Sequence, residues 1–431
     1  MIRHSLCIAA TAAVLAAQQV PEGLQATAFP VTLDTTTPVV LLDGSFAWFD
    51  GDEVFVQPPG QTAQPRLQLP ATVFASYLVE VAPGKLLFGE NSTNDLWLVP
   101  AQGPVPGSPL ANVFLPYDAA AFDAQRAIVS ARVGGFGAPD NDLVLVDLTT
   151  GALQTIARVP GASGPVAVAD NGDVYYATGS LSWPTPPGQT TVLRFRSAVV
   201  AYAIQQAALL GIADAEVVFA GLDSAGDICL DDDGDLLFTD WFQNTVGELN
   251  DATGPSPWLG APLIDYGFLP GAAFVQFVPG AGNGVFEPFQ PAGGKLLVYE
   301  TDYFSTSGVR FVEPVRATLS HTGPTPIPVG PVTFEVQGGP ANGIGLLAIA
   351  IDDTPGSVTL GVGFEQPLHL GVALFGPTIL WSGLFDAQGT LTIALTNPGF
   401  ALPTTTTAQA VLLSTAGVLG SSTAIAPVFG Q

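Results

Sequence analysis

The side chains of this sequence that are best suited to chemistry are acids and an amide at the ends of short apolar runs. Glu90 ends the run KLLFGE, Asp240 ends LLFTD, and Asp302 follows LLVYET. Carboxylate oxygens are ligands that Ca²⁺ and related divalent cations prefer in proteins. These three acids are therefore the candidate ligands of one divalent cation. The wider set of candidate binding residues is Glu90, Asn91, Asp118, Asp227, Asp240, Trp241 and Asp302.

The same residue types also have a purely structural use. Asp and Asn side chains accept hydrogen bonds from nearby backbone N–H groups and so stabilise turns. Under this alternative, the candidate acids cap strand ends and bind no ligand. The two interpretations differ in whether acids from separate segments converge on one point.

The most conspicuous acidic run, DDDGD at 231–235, does not fit a calcium loop. A loop of the EF-hand type needs acids at positions 1, 3 and 5, glycine at 6 and glutamate at 12. Counted from Asp231, position 6 is Leu236, position 12 is Phe242, and Gly234 comes two places early. Glycine supplies the positive φ that hairpin corners need. The run therefore predicts a corner between two strands, and calcium at this corner is the less favoured alternative.

Histidine and nucleophile patterns exclude several classes of enzyme. The three histidines are His4, near the N-terminus, and His321 and His369, in the last third of the chain. The region between them has no histidine for a zinc, copper or haem site. The sequence has no G-x-S-x-G motif, and Cys229 lies between two apolar residues. That setting predicts a buried, unreactive thiol.

One supersecondary unit repeats along the part of the chain that carries these acids. It has an apolar strand, a corner rich in Gly, Asp, Asn or Pro, a second apolar strand, a polar loop and a third strand. Strands that alternate or are fully apolar over four to six residues suit sheets covered on both faces. The copies lie at 45–57, 77–99, 119–147, 164–196, 227–250 and 274–312. Six copies predict an all-β fold, a six-bladed β-propeller over residues 25–314.

Two further segments belong to this propeller. ATAFPVTL at 26–33 precedes the first copy and is predicted to supply the missing outer strand of the last blade, which would close the ring. VVAYAIQQAALLG at 199–211 is helix-like, and we interpret it as decoration of a blade edge rather than a lid. The loops after the second strand of each blade would form the mouth of the propeller, with Glu90 and Asp240 on them.

The copy GDICLDDDGDLLFTDWFQNTVGELNDATG at 226–254 resembles an NHL-type repeat, and its LFTDW core is similar to the YWTD repeats of lipoprotein-receptor propellers. This resemblance implies a six-bladed propeller but no particular chemistry, because the fold hosts binding proteins and enzymes alike. The architecture is also similar to that of the senescence-marker and gluconolactonase superfamily, whose propeller holds a divalent metal through carboxylate and Asn ligands. The Gly-Glu-Gly-Pro and Asn-Gly motifs of that superfamily have no clean match here. Lyases of the streptogramin-inactivating propeller family need a catalytic His, which residues 25–314 lack.

The chain changes character after residue 314. Residues 315–431 contain short strands at intervals of 8–15 residues with Gly, Pro and Asn turns, which predicts a β-sandwich accessory domain. They carry five acids and one base, whereas the other 32 acids lie upstream. This part resembles the small C-terminal sandwich domains of secreted proteins from planctomycete-type bacteria.

Composition and the N-terminus predict an exported, acidic protein. The 37 acids and 11 bases give a net charge of −26, which repels nucleic acid and anionic membrane surfaces. Residues 1–17 have a basic start, an apolar run and a small-residue end, as in a secretory signal peptide. Its removal takes Cys7 and leaves Cys229 as the single cysteine. No later apolar stretch is long enough for a transmembrane segment.

Together these patterns predict a secreted, non-enzymatic binding or recognition protein that uses the acidic mouth of a β-propeller. Ca²⁺ or another divalent cation is the expected cofactor, in a structural role. The expected partner is a small molecule, a glycan or a protein, and not nucleic acid. Two alternatives stay open, a metal-dependent lactonase or esterase of the gluconolactonase type and a structural cell-surface protein. The expected location is extracellular, periplasmic or on the cell surface.

Overall fold

The computed structural model describes the chain in segments. They are residues 24–28, 38–50, 52–69, 75–134, 139–161, 163–179, 187–231, 234–260, 262–266, 271–278, 295–301, 307–314, 317–350, 378–399, 404–413, 419–422, 425 and 427–430. The predicted signal peptide, residues 1–17, lies outside them.

Six small antiparallel sheets follow one another as the blades of a propeller. Blade 1 consists of β2 (Val39–Val40), β3 (Phe46–Asp50), β4 (Glu53–Gln57) and β5 (Gln64–Gln68). Blade 2 consists of β6 (Ala75–Ala82), β7 (Lys85–Glu90), β8 (Asp95–Pro100) and β9 (Ala111–Asn112). Blade 3 consists of β10 (Pro116–Asp123), β11 (Arg126–Arg132), β12 (Asp140–Asp147) and β13 (Leu153–Pro160). Blade 4 consists of β14 (Val166–Val168), β15 (Val174–Ala177), β16 (Thr190–Phe195) and β17 (Glu216–Leu222). Blade 5 consists of β18 (Ile228–Leu230), β19 (Leu236–Asp240), β20 (Thr245–Asn250), β21 (Trp258–Leu259) and β22 (Ile264–Asp265). Blade 6 consists of β23 (Gly271–Val278), β24 (Lys295–Thr301), β25 (Ser307–Pro314) and β1 (Leu24–Ala28). The predicted six-bladed propeller is confirmed by this strand order.

The corners between first and second strands follow the predicted turn chemistry. Gly84 turns the chain from β6 to β7 at φ 67°, and Gly172 turns it from β14 to β15 at φ 83°. A side chain with Cβ is strained at such angles, whereas glycine adopts them freely. Because the corners are this tight, the first two strands of each of these blades pair from the corner onward, with two irregularities in β6.

The ring closes through a strand from the other end of the propeller segment. Strand β1 pairs antiparallel with β25, with Ala26 opposite Val312 and Thr27 opposite Phe311. The prediction that an N-terminal segment completes the last blade is therefore confirmed. The strand runs from Leu24 to Ala28, whereas the prediction placed it at 26–33. Residues 29–33 lie outside the described part of the chain.

Apolar clusters fill the spaces between successive blades. Leu87 and Val129 belong to one cluster, between blades 2 and 3. Tyr175 and Phe238 belong to another, between blades 4 and 5. Phe46 and Tyr299 join the first blade to the last. Each blade therefore buries both of its faces, which explains why the strands are almost fully apolar.

The helix-like insert is a helix at the edge of the ring. Helix α1 (Ser197–Gln206) and a 3₁₀ turn (Ile212–Asp214) lie between β16 and β17. Val200 and Ala203 are buried in the cluster shared by blades 3 and 4. The helix thus packs on a blade edge, as the sequence predicts.

Three further sheets follow in the C-terminal part. The first comprises β26 (Thr318–His321), β27 (Gly330–Gln337) and β30 (Leu391–Asn397). The second comprises β29 (Thr378–Leu384), β28 (Ile344–Ala350), β32 (Thr407–Leu413) and β33 (Leu419–Ser421). The third pairs β31 (Thr404–Thr405) with β34 (Val428–Phe429). Phe334, Leu347 and Phe429, one from each sheet, share a single apolar core. Sheets packed on a common core form a sandwich. The division into domains at 314/315 stays a prediction, as does the resemblance to planctomycete-type sandwich domains.

Within the described segments, no helix is both long enough and apolar enough to cross a membrane.

We expect the ring to depend on the pairing of β1 with β25. Ala26→Pro and Thr27→Pro each remove a backbone N–H, and in an antiparallel pair only alternate residues direct that group at the neighbouring strand. One of the two variants should therefore lower the free energy of unfolding by about 1 kcal/mol or more, measured by chemical denaturation. Ser108→Pro, in the exposed loop between β8 and β9, is the matched control. Equal stability of all three variants and the wild type would contradict the closure.

Candidate functional site

The first strand of each blade lines a central channel. These strands are β2, β6, β10, β14, β18 and β23, and each lies at an edge of its sheet. The channel has a volume of about 810 Å³. Exposed corner residues, among them Leu42, Pro83 and Ala124, line one end. Asp118 and Asp227 lie at the beginnings of their strands and so at the other end.

The walls of the channel are mostly apolar. Each of the six strands contributes Val, Ala, Ile, Leu or Phe residues, such as Val79, Val168 and Phe277. These side chains also pack in the spaces between blades. The strand edges themselves carry backbone N–H and C=O groups, which need hydrogen-bond partners where water is scarce.

Asp118 supplies such partners between blades 3 and 4. One of its carboxyl oxygens accepts the N–H of Ala119 at 2.7 Å. The other accepts the N–H of Val166, in the first strand of the next blade, at 2.8 Å. The carboxyl therefore bridges two inner strands.

Asp227 repeats this arrangement two blades further on. Its Oδ2 accepts the N–H of Val275, in the first strand of blade 6, at 2.8 Å. The residues that precede the two acids are also linked, because the Tyr117 hydroxyl donates to the Gly226 carbonyl at 2.8 Å. Blades 3 and 5 are thus connected directly at this end of the channel.

Two other polar side chains connect inner strands where the sequence analysis predicted nothing. Gln276 of blade 6 accepts the N–H of Val40 at 2.9 Å and donates to its carbonyl at 2.8 Å. Glu80 of blade 2 accepts the N–H of Leu42 at 2.6 Å. A lone polar residue in an apolar strand, as in FVQFV or LVEVA, is the signal that could have revealed them.

The two aspartates are buried carboxyls without a basic partner. Each is 6% exposed. No ion pair within the described residues involves either of them. Burial raises the pKa of Asp118 to about 7. Burial and the charge of Asp118 raise the pKa of Asp227 well above its ordinary value.

Cys229 also lines the channel. Its side chain is half-buried, whereas the sequence predicts a buried thiol. Burial, followed by the nearby charge of Asp227, raises the thiol pKa well above its ordinary value. The thiolate is the reactive form of cysteine, so the predicted lack of reactivity agrees with this setting.

Glu90 is occupied with its own turn. Its carboxyl accepts the N–H groups of Ser92 at 2.8 Å and Thr93 at 2.5 Å, and the Thr93 hydroxyl at 2.5 Å. Burial alone would raise the pKa of Glu90, but these hydrogen bonds outweigh it and lower that pKa. Asn91, next to it, is half-buried, and its Oδ1 has no hydrogen-bond partner within the described structure.

Asp240 has the same use in blade 5. Its Oδ1 accepts the Ser224 hydroxyl at 2.8 Å and the N–H groups of Phe242 at 2.9 Å and Gln243 at 3.1 Å. Trp241 beside it is 45% exposed, and its ring lies against Gly226, where a Cβ would meet the indole. Asp302, the third predicted metal ligand, lies outside the described residues. The predicted trio of Glu90, Asp240 and Asp302 stays a prediction.

One group of three acids does meet in the described part of the chain. Asp231, Asp235 and Glu248 offer carboxyl oxygens within 4.8 Å of one another. The oxygen Oδ1 of Asp231 accepts the N–H groups of Gly234 at 3.0 Å and Asp235 at 2.9 Å, and Oδ1 of Asp235 accepts that of Asp251 at 2.6 Å. The predicted corner between two strands is confirmed. Sequence spacing missed Glu248 because it comes from the third strand.

No protein-family model and no curated protein matches this sequence. Among solved structures, the chain is similar to a luciferin-regenerating enzyme, with a TM-score of 0.46 and 11% identity over 68% of this chain and 96% of that one. It is similar to regucalcin, a calcium-binding protein from Agrobacterium tumefaciens, with a TM-score of 0.41 and 14% identity over 64% and 90% of the two chains. It is also similar to a gluconolactonase from Xanthomonas campestris, with a TM-score of 0.42 and 13% identity over 67% and 98%. Likenesses of this size carry no argument about activity, and the blade count rests on the strand pairing.

The buried carboxyl of Asp118 should make the protein less stable as pH rises. In the folded state the Asp118 carboxyl has a pKa of about 7, whereas in the unfolded chain it has the ordinary value of about 3.8. The folded state therefore binds more protons between these values, and the free energy of unfolding falls as pH rises through this window, by up to roughly 4 kcal/mol.

Chemical denaturation at pH 5, 6 and 7 measures this slope. Asp118→Asn should flatten it, because the amide does not titrate and Asp227 loses a like-charged neighbour. Asp170→Asn, at an exposed corner, is the matched control and should keep the wild-type slope. An unchanged slope in Asp118→Asn would show that another group titrates.

Proposed function

We propose that this protein binds a small ligand in the central channel of its propeller and does not transform it. The observation that carries the proposal is the channel itself, about 810 Å³ with apolar walls and a buried carboxyl pair at one end. Ligand pockets of soluble proteins have volumes of about 300–1,000 Å³, apolar linings and a few polar groups that orient the ligand. The channel has each of these properties.

The ligand reaches the channel between the corners of the blades. Leu42, Pro83 and Ala124 line the channel at that end and are exposed, so an entering apolar group meets them first. Burial of such a group against Val79, Val168 and Phe277 supplies affinity at roughly 25 cal/mol per Å² of apolar surface. Asp118 and Asp227 supply the polar contacts that orient the ligand.

Two of the predicted binding residues, Asp118 and Asp227, support this proposal directly, because they line the channel. The loop residues Glu90, Asp240 and Trp241 do not line it within the described structure. Recognition is therefore better supported in the channel than at loops of the mouth.

Filling the channel should abolish binding. Ala121 lines the channel and is exposed, so a larger side chain there projects into open space. Ala121→Trp should weaken binding of the neutral, apolar fluorophore Nile red at least tenfold in a fluorescence titration. Ala201→Trp, on the exposed face of helix α1, is the matched control and should bind as the wild type does. Equal binding by both variants would place the site elsewhere.

The hydrolase alternative is tested on the same protein. Calcium-dependent opening of a lactone, followed with a pH indicator, would replace the binding proposal if Asp240→Ala abolishes it. Turnover that persists in Asp240→Ala would come from other groups and would not support the predicted metal ligands. We expect no turnover in either protein.

A structural divalent cation is the further element of the proposal, and thermal melting locates it. The described residues offer one three-acid group, at the corner of blade 5. A rise of Tm in millimolar CaCl₂, compared with EDTA, should be lost in Glu248→Gln and kept in Glu90→Gln, because Glu90 is occupied by its turn. The opposite pattern would favour the predicted mouth residues.

We also propose that the protein works outside the cytoplasm, since residues 1–17 have the pattern of a secretory signal peptide.

A further inference from the structure

We propose that the ligand of the channel is an organic cation, an amine whose ammonium group meets Asp118 and Asp227 while its apolar body lies along the channel walls. This inference rests on the proposed function and names the chemical class of the ligand.

Within the described residues, the carboxyl pair of the channel has no basic partner. Asp118 and Asp227 are each more than nine-tenths buried, and no Lys or Arg forms an ion pair with either within the described structure. Buried carboxylates are costly unless an opposite charge or several hydrogen bonds accompany them. The described residues supply the pair with backbone N–H groups from the neighbouring blades, but with no ion pair to a Lys or Arg.

The other titratable groups that interact with the pair do not supply that charge. They are Tyr77 on β6, Tyr117 on β10 and Cys229 on β18, and Tyr176 on β15 interacts with Tyr117. Burial raises the pKa of each, so all are neutral at neutral pH. Arg132 acts on Tyr117 from a distance, and its Nε donates to the Ser163 hydroxyl.

An ammonium group fits the hydrogen-bonding capacity that remains. It carries three donors, and a carboxylate has about four acceptor positions. Asp118 uses one position on each oxygen for backbone N–H groups, so at least one further position is open on each. Hydrogen bonds between charged groups are about twice as strong as neutral ones.

The size and walls of the channel favour an organic cation over a metal ion. A Ca²⁺ ion takes six to eight oxygen ligands. The channel lining around the two aspartates includes apolar residues such as Val166, Ile228 and Val275, and the described three-acid group lies elsewhere, at the corner of blade 5. A channel of about 810 Å³ instead accommodates a molecule of many atoms.

Binding of an ammonium should release protons from the carboxyl pair. Burial raises the pKa of both aspartates, that of Asp118 to about 7, so the pair holds more protons at pH 6 than at pH 8. An aliphatic ammonium keeps its charge up to about pH 10. Affinity for the cation should therefore rise between pH 6 and pH 8, whereas affinity for a neutral ligand of the same shape should not.

A pair of fluorescent probes tests this inference. Dansylcadaverine carries an apolar ring system and a primary ammonium, and its N-acetyl derivative has the same body without the charge. In wild-type protein at pH 8, we expect dansylcadaverine to bind at least tenfold more tightly, and we expect this ratio to be smaller at pH 6. The wild type alone gives this result, so no variant needs to fold for the test to be decisive.

Variants then assign the preference to the carboxyl pair. Asp227→Asn should reduce the ratio at pH 8 at least fivefold, while Asp170→Asn, which removes an equal charge from an exposed corner, should leave it unchanged. Equal affinity for the two probes at both pH values would overturn the inference. The proposed function would survive that result if Ala121→Trp still abolished binding of both probes. Displacement of dansylcadaverine by millimolar CaCl₂ in wild type but not in Asp227→Asn would make this a metal site and would also overturn the inference.

Discussion

The innermost strand of every blade lies at the edge of its sheet. The backbone N–H and C=O groups on its channel side therefore have no strand of the same sheet to bond with. Buried backbone groups need partners, and this constraint decides which polar residues the channel contains. Asp118 and Asp227 accept N–H groups of the following blade. Gln276 of blade 6 and Glu80 of blade 2 accept backbone N–H groups of blade 1, one on each side of it. The polar residues of the channel are therefore structural before they are functional.

The same arrangement creates the chemistry of the channel. Apolar clusters between blades bring the six strands together and exclude water, while the ring closure by β1 holds the last blade in place. Carboxyls that bridge blades in this setting are desolvated, and the two lie close enough for the charge of Asp118 to raise the pKa of Asp227. The two carboxyls that stabilise the ring by accepting N–H groups thus have no basic partner among the described residues. Binding of a cation would supply the positive charge.

Acids at the ends of second strands behave differently, although their sequence context is more conspicuous. Glu90 and Asp240 are each followed by a short turn whose N–H groups point back at the carboxyl. The hydrogen bonds from its turn outweigh burial and lower the pKa of Glu90. The contacts of Glu90 and Asp240 are therefore those of acids that cap strand ends and stabilise turns.

The sequence by itself determined the all-β fold, the six blades, the strand that closes the ring and the helix at a blade edge, because strand periodicity and turn residues are local properties. It also indicated Asp118 and Asp227, since both begin an apolar strand. Only the tertiary structure decided what these residues do. It placed Glu80, Gln276 and Cys229 in the channel and Glu248 beside Asp231 and Asp235, which lie more than ten residues away in sequence. The contacts of Glu80 and Gln276 depend on how separate blades pack, and that of Glu248 depends on the pairing of β20 with β19 inside blade 5. Neither follows from the spacing of residues along one strand.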